Sequence, residues 1–355
     1  MKNYKRFTLI IVSFVAATVL LNGLIWILAT RDILGPQAVC GDLARMGYLP
    51  GYVQHRDFPE PLPLRHIEPS DYQGEAIDLL TIGDSFSNGG SRSYYQDQLA
   101  SKNGFRTLNL TNALWFPGSS SRIEALVTLL NGGYFSRVNP RYLLVQSVER
   151  LVDQLGSDVD FDLPRSSAEM EKYIVEQSLK KIAGVEPKPV SFMNTGNLKY
   201  LKNKFLYLFS PNAFKSNVFK VEMDRELFTG KYGSTLLFLR DDIRTIKKID
   251  RDVVIRINEN MNRLAERLEK IGTRLYFMPT VDKYDLYSDY IRDNNFPKNS
   301  FFDNLRPLEK NYVLIDTKNI LSDALARGEK DIYLADDTHW SEKATRLIAE
   351  AVTFD

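Results

Sequence analysis

The chain has 355 residues, 44% of them hydrophobic and 26% charged, with 20 Gly and 15 Pro. This excludes collagen-like, coiled-coil and largely disordered chains and leaves ample core for about two domains or one enlarged one. Lys and Arg (46) nearly cancel Asp and Glu (45), so the +1 net charge gives no global reason to bind nucleic acid. Cys40 stands alone, which excludes an intrachain disulfide, a cysteine-rich zinc site and an iron–sulfur cluster. Three histidines, His55, His66 and His339, leave few routes to a histidine metal site or an imidazole-dependent mechanism.

From Phe7 to Ala29 the chain is apolar and carries no charge. As a helix this run is about 34 Å long, enough for the ~30 Å hydrocarbon layer of a bilayer. Lys2, Lys5 and Arg6 precede it, so the positive-inside rule keeps residues 1–6 cytoplasmic and sends the rest across the membrane. The alternative, a cleaved signal peptide, fits less well: the run exceeds a signal core, and Ile27-Leu28-Ala29 is a poor small-x-small cleavage site. Residues 30–75 hold Pro36, Pro50, Pro59, Pro61, Pro63 and Pro69 with little periodicity, and are expected as a stalk or a wrap over the domain surface. Cys40, preceded by Val39, is expected as a small, partly buried thiol.

Beyond the stalk, strands alternate with helices. A buried strand is expected over 76–82, a helix near 92–102 closed by Gly104, a strand over 107–110, a helix over 121–130 and a strand over 142–146. This rhythm predicts an α/β domain with a central parallel sheet, its first part spanning 76–152. Residues 153–250 break the rhythm and are expected as a helical insertion, with Ser166 and Glu169 forming a capping box for a helix to about 182. Within it, Tyr200–Phe209 mixes lysines with aromatics; a half-buried helix with solvated lysines is expected there in preference to a membrane-surface or nucleic-acid element. The second part of the domain, 251–355, is expected to hold a long helix near 252–270, strands at 274–278 and 312–316, a helix at 319–327, and a last helix at 341–352 capped by Ser341.

The chemistry concentrates in two places. Gly83-Asp84-Ser85 follows the first buried strand, where α/β sheets gather reactive groups, and Gly83 permits a tight turn. A serine hydroxyl is a weak nucleophile and needs a base with something to orient it. His339, preceded by Asp336 and Asp337, is the histidine in a comparable setting, so acyl transfer through Ser85 with His339 as base follows. Each half also has a plainer reading, as turn chemistry or as a helix entry favoured by the dipole. The run Gly83–Gly90 lacks a P-loop lysine, and no Gly-x-Gly-x-x-Gly occurs, so neither phosphate-binding motif is present. Asp336, Asp337 and His339 lack a second histidine or a cysteine nearby, which disfavours a metal; no metal and no cofactor are expected.

Together the two halves resemble the SGNH (GDSL) hydrolase superfamily. Asp337-Thr-His-Trp340, Val148-Glu-Arg150, and Met278-Pro279 followed by Lys283 and Tyr287 are similar to its alginate O-acetyltransferase branch, of the AlgJ and AlgX type. The likeness covers 76–152 and 250–355 and implies the three-layer SGNH sandwich. It implies a triad of Ser85, His339 and Asp337, two residues before the histidine; Asp336, three before, is the position used by ordinary superfamily members and is held in reserve. It implies an oxyanion hole from the Ser85 backbone N–H and that of Gly118. Gln146-Ser-Val-Glu-Arg150 replaces the superfamily's Gly-x-Asn-Asp block, with Gln146 a candidate side-chain donor and Arg150 a substrate contact or an anchor for Glu149. The departure disfavours efficient hydrolysis and agrees with the acetyltransferase branch. The resemblance further implies a polysaccharide acceptor and an acetyl donor relayed by a multi-pass membrane acyltransferase. A carbohydrate esterase with the same triad and an inactive glycan-binding relative are the alternatives.

Overall fold

The computed structural model describes residues 2–34, 40–52, 54, 62–88, 94–183, 190–213 and 216–355. His55 and residues 92–93 of the expected helix lie outside this set. Leu79–Ile82 (β1), Thr107–Leu110 (β2) and Tyr142–Val148 (β3) are buried along their whole length, the pattern of strands covered on both faces. Val218–Glu222 (β4) and Thr235–Leu239 (β5) pair as a separate antiparallel hairpin, and Arg274–Thr280 (β6) and Val313–Leu314 (β7) complete the main sheet. Its order is β2-β1-β3-β6-β7, and every pairing is parallel. The expected α/β architecture with a central parallel sheet is observed.

Strand order reverses between β1 and β3, and ligands of open α/β sheets bind at the carboxyl ends of such neighbours. Three segments leave the sheet at that end: Ser85 after β1, Glu149-Arg150 after β3, and Asp282-Lys283 after β6. Register fixes their relative height, because Ile82 lies beside Val145, and Val148 beside Thr280.

Local chemistry sets the helix ends. Ser121 accepts from the Glu124 N–H to open Arg122–Asn131, and Asp250 from the Val253 N–H to open Arg251–Glu269. Gly104 and Gly272 close their elements at positive φ, 70° and 78°. Ser341 occupies the N-cap position of Glu342–Ala351, but its hydroxyl donates to the Asp331 carbonyl at 2.6 Å, so it ties down the preceding loop instead of capping.

Of the two forms expected for 30–75, a stalk or a wrap, the described part takes the wrap. Asp42–Gly47 forms a short helix, Cys40 is buried with its thiol 3.4 Å from the Ile33 carbonyl, and Ile67 bridges Leu108 to cover the β2 edge of the sheet. The segment 153–250 is not purely helical. It holds Ala168–Ala183 and Thr195–Leu206, but its β4–β5 hairpin sends Phe219 and Phe238 into the main core, stacked at 5.0 Å. At the front, Lys2–Ile25 is one helix, and residues 4–30 are long and apolar enough to cross a membrane.

Candidate active site

Ser85 opens a single 3-10 turn directly after β1 and is half-buried. Everything beneath it is clamped. Asp84 is fully buried; one carboxylate oxygen accepts from the Phe86 N–H at 3.1 Å, the other from Arg122 Nη1 at 3.1 Å and the Val148 N–H at 2.7 Å. Gln146 Oε1 accepts from the Asp84 N–H at 3.0 Å and the Ser87 hydroxyl at 2.9 Å, and its Nε2 donates to Thr280 at 2.9 Å. Gly83 is required by space: a Cβ there would run into the Ser87 hydroxyl and Gln146 Oε1. Gln146 is thus a buried clamp joining β1, β3 and β6, a different placement from the donor facing substrate that the sequence suggests.

The Asp84–Arg122 pair is wholly desolvated, and the Arg122 guanidinium also lies 4.7 Å from the Trp115 ring centre. Burial would raise the Asp84 pKa; the Arg122 charge and the backbone donors outweigh it and hold the carboxyl below 3.8. The pair therefore stabilises the fold above that ordinary value, and the contribution is lost as pH falls through the lowered one. Asp84→Asn leaves the Arg122 cation buried without a counter-charge, a loss of about 3–5 kcal/mol. A denaturant midpoint should drop accordingly and recover much of the way when Arg122→Met is added; an unchanged midpoint in the single variant contradicts the assignment.

The second stretch arrives from the far end of the chain. His339 Nδ1 lies 2.7 Å from Asp337 Oδ1, which also accepts the His339 N–H at 3.0 Å. Asp336 is turned elsewhere, accepting from the Gly41 N–H at 2.7 Å. The imidazole packs on Phe86, the neighbour of Ser85, with ring centres 4.8 Å apart, and Trp340 meets Phe86 edge-on at 5.0 Å. His339 Nε2 is buried without a hydrogen-bond partner among the described residues. Buried Lys283 holds the loop by donating to the carbonyls of Leu334, Ala335 and Asp337 at 2.7–3.0 Å; its burial pulls its pKa down to about 8. Tyr287 accepts from the Tyr333 N–H at 3.2 Å.

Arg150 is buried, with Nη1 on Asp282 at 2.5 Å and Asp242 at 3.3 Å. It anchors these aspartates rather than Glu149, whose carboxylate accepts from the Asp282 N–H at 2.9 Å. Burial, with Asp285 and Asp282 nearby, pushes Glu149 well above the carboxylate range, and burial pushes Asp242 up to about 6 against the pull of Arg150. Gly118 lies exposed in the turn after β2. Asn112, at the base of that turn with φ 59°, is tied by Asn88 at 2.5 Å to the segment that carries Ser85.

Residues 236–354, the last third of the chain, match the family described as SGNH hydrolase-like domain, acetyltransferase AlgX. This match supports an SGNH hydrolase-like domain of the AlgX branch. Comparison with curated proteins and with solved structures found no match. The matched stretch contains Lys283, Tyr287, Asp337, His339 and Trp340, while Ser85 lies outside it. An AlgX-type domain supports an acetyltransferase- or hydrolase-type function.

One residue beside His339 has no signal in the local sequence. Asp42 opens its short helix against the histidine loop, accepting from the Thr338 N–H at 2.8 Å and the Thr338 hydroxyl at 2.5 Å. Donor atoms of Asp42, Asp337 and His339 lie within 4.8 Å of one another, a spacing a cation could bridge. They are instead spent on His339 Nδ1 and Thr338, so the cluster reads as a hydrogen-bonded support for the imidazole. Burial would lower the His339 pKa; the Asp337 hydrogen bond and charge, then the Asp42 charge, overcome this and raise it above 6.5. The charged pair therefore adds stability below pH 6.5, and that contribution disappears as pH rises through the raised value. A general base must be neutral to accept a proton, so for His339 in the base role expected from the sequence the acid limb of kcat/KM should have its midpoint above 6.5. Asp42→Asn should move that midpoint to lower pH; a midpoint that stays put removes Asp42 from the electrostatics of the site.

Proposed function

We propose that the protein is a membrane-anchored, extracytoplasmic O-acyltransferase that places an acyl group, most simply acetyl, on a hydroxyl of a cell-surface or exported polysaccharide. His339 carries this reading: one ring nitrogen is held by Asp337, the other is buried and unpartnered among the described residues, and the ring rests on the neighbour of Ser85. In this scheme Ser85 Oγ attacks the donor's acyl carbon while His339 Nε2 takes the hydroxyl proton, then returns it to the departing group. A sugar hydroxyl next attacks the Ser85 ester, giving its proton to His339, which passes it back to Ser85 as the ester breaks. The Ser85 and Gly118 backbone N–H groups, on loops after adjacent strands, are the proposed oxyanion donors.

The apolar helix would anchor the chain with residues 1–6 in the cytoplasm and the domain on the far side of the membrane, where a multi-pass membrane acyltransferase is proposed to relay acyl groups to it. Arg150 would act by positioning Asp282 and Phe86, its guanidinium lying 6.0 Å from the Phe86 ring centre. The test offers the full chain a chromogenic acetyl ester with and without oligosaccharide, alongside Ser85→Ala. Acetylated sugar made only with Ser85 present supports the transferase. Ser85-dependent release of acetate alone makes it an esterase, and glycan binding without Ser85-dependent turnover ends the enzymatic reading.

A further inference from the structure

Thr195–Leu206 is amphipathic in the reverse of the usual sense. Its polar side meets protein: Asn197 bonds Thr30 at 2.5 Å and Asn22 at 2.7 Å, and Asn203 donates to the Gly47 carbonyl at 3.2 Å. Tyr207, in the turn that follows, donates to the Val218 carbonyl at 2.9 Å. Its apolar side faces away from the protein. Leu198 (74% exposed), Leu201, Phe205 (60%), Leu208 (74%) and Phe209 (67%) fall within an arc of roughly 100° at helical pitch. Exposed Lys199, Lys202 and Lys204 flank that arc, where long basic side chains can reach past an apolar surface.

What covers this face is indicated by its neighbour. The segment leading into the helix packs on the outer part of the N-terminal apolar helix. Asn22 donates to the Phe192 carbonyl at 2.9 Å, Trp26 Nε1 to the Val190 carbonyl at 3.1 Å, and the Trp26 and Phe192 rings lie 5.9 Å apart. Asn22, Trp26 and Thr30 repeat every fourth residue, so one stripe of an otherwise apolar helix is polar and is satisfied by residues 190–197. The helix that bears the exposed apolar arc thus packs, through its polar side, on a helix that by length and composition suits hydrocarbon. Tryptophan and lysine at that junction fit the headgroup boundary.

We infer that residues 192–209 form an interfacial element lying in the outer headgroup layer of the bilayer that holds the N-terminal helix. The domain then rides on the lipid surface rather than swinging on a tether. This rests on the anchor proposed above, and the test separates the two. The full chain is reconstituted in phosphatidylethanolamine–phosphatidylglycerol vesicles with a nitroxide on Leu201→Cys, Phe209→Cys, Val12→Cys or Lys172→Cys, one at a time; native Cys40 is buried. Labels at 201 and 209 should favour collision with oxygen over a water-soluble nickel complex severalfold relative to the exposed 172 site. Accessibility equal to that at 172 overturns the inference while a lipid-buried label at 12 preserves the anchor. Shielding of 201 and 209 from both reagents also overturns it, since protein then covers the face. A water-accessible label at 12 removes anchor and interfacial element together.

Discussion

Replacing Ser85 with alanine should lower acyl transfer by roughly 10⁴–10⁶-fold while leaving the fold intact. The size follows from the division of labour in the proposed mechanism. The hydroxyl forms the covalent bond that splits one difficult displacement into two, and His339 has no other proton to take at that step. Stability should be nearly unchanged, because the turn is held by Asp84, Gln146 and Ser87 rather than by the Ser85 side chain. Rates with the chromogenic ester and a thermal melt check both halves. A variant that melts normally and turns over within tenfold of wild type contradicts the role given to Ser85.

Asp337→Asn should cost on the order of 10⁴ in kcat, whereas Asp336→Asn should be felt mainly in stability. The asymmetry rests on direction. Asp337 takes His339 Nδ1 at 2.7 Å, fixing the tautomer that leaves Nε2 able to accept; an asparagine there can donate instead and select the wrong tautomer. Asp336 reaches back to the Gly41 N–H, and Gly41 sits so close that a Cβ would collide with the Asp336 backbone. Its loss should loosen the wrap around the histidine loop before it touches proton transfer. Steady-state rates for both variants decide this: equal losses in kcat, or a larger loss at Asp336, would overturn the assignment.

Both halves of the site carry local signals, which is why they are legible in the sequence. Gly83-Asp84-Ser85 follows a run of buried residues, and Asp337-Thr-His-Trp340 precedes an amphipathic helix. Strand Thr107–Leu110 has the expected limits because Gly104 sets its entry. The features that sequence does not reveal depend on contacts far along the chain. Asp42 is an ordinary acidic residue at the start of a short helix until residue 338 is folded onto it. Gln146 becomes a clamp only through the register that sets it between Asp84 and Thr280. Periodicity shows that 195–209 has an apolar stripe, but not which side the protein takes. The helix is half-buried with solvated lysines, as expected, but the hydrogen bonds of Asn197 and Asn203 draw its polar side inward.

Mass spectrometry of the full chain after brief exposure to an acetyl-ester donor tests the central proposal most directly. One acetyl group is expected, on the peptide containing Ser85, that accumulates without acceptor and passes to oligosaccharide when it is added. His339→Ala should slow its appearance. An acetyl group on another residue, or sugar acetylation that proceeds with Ser85 never modified, would contradict it.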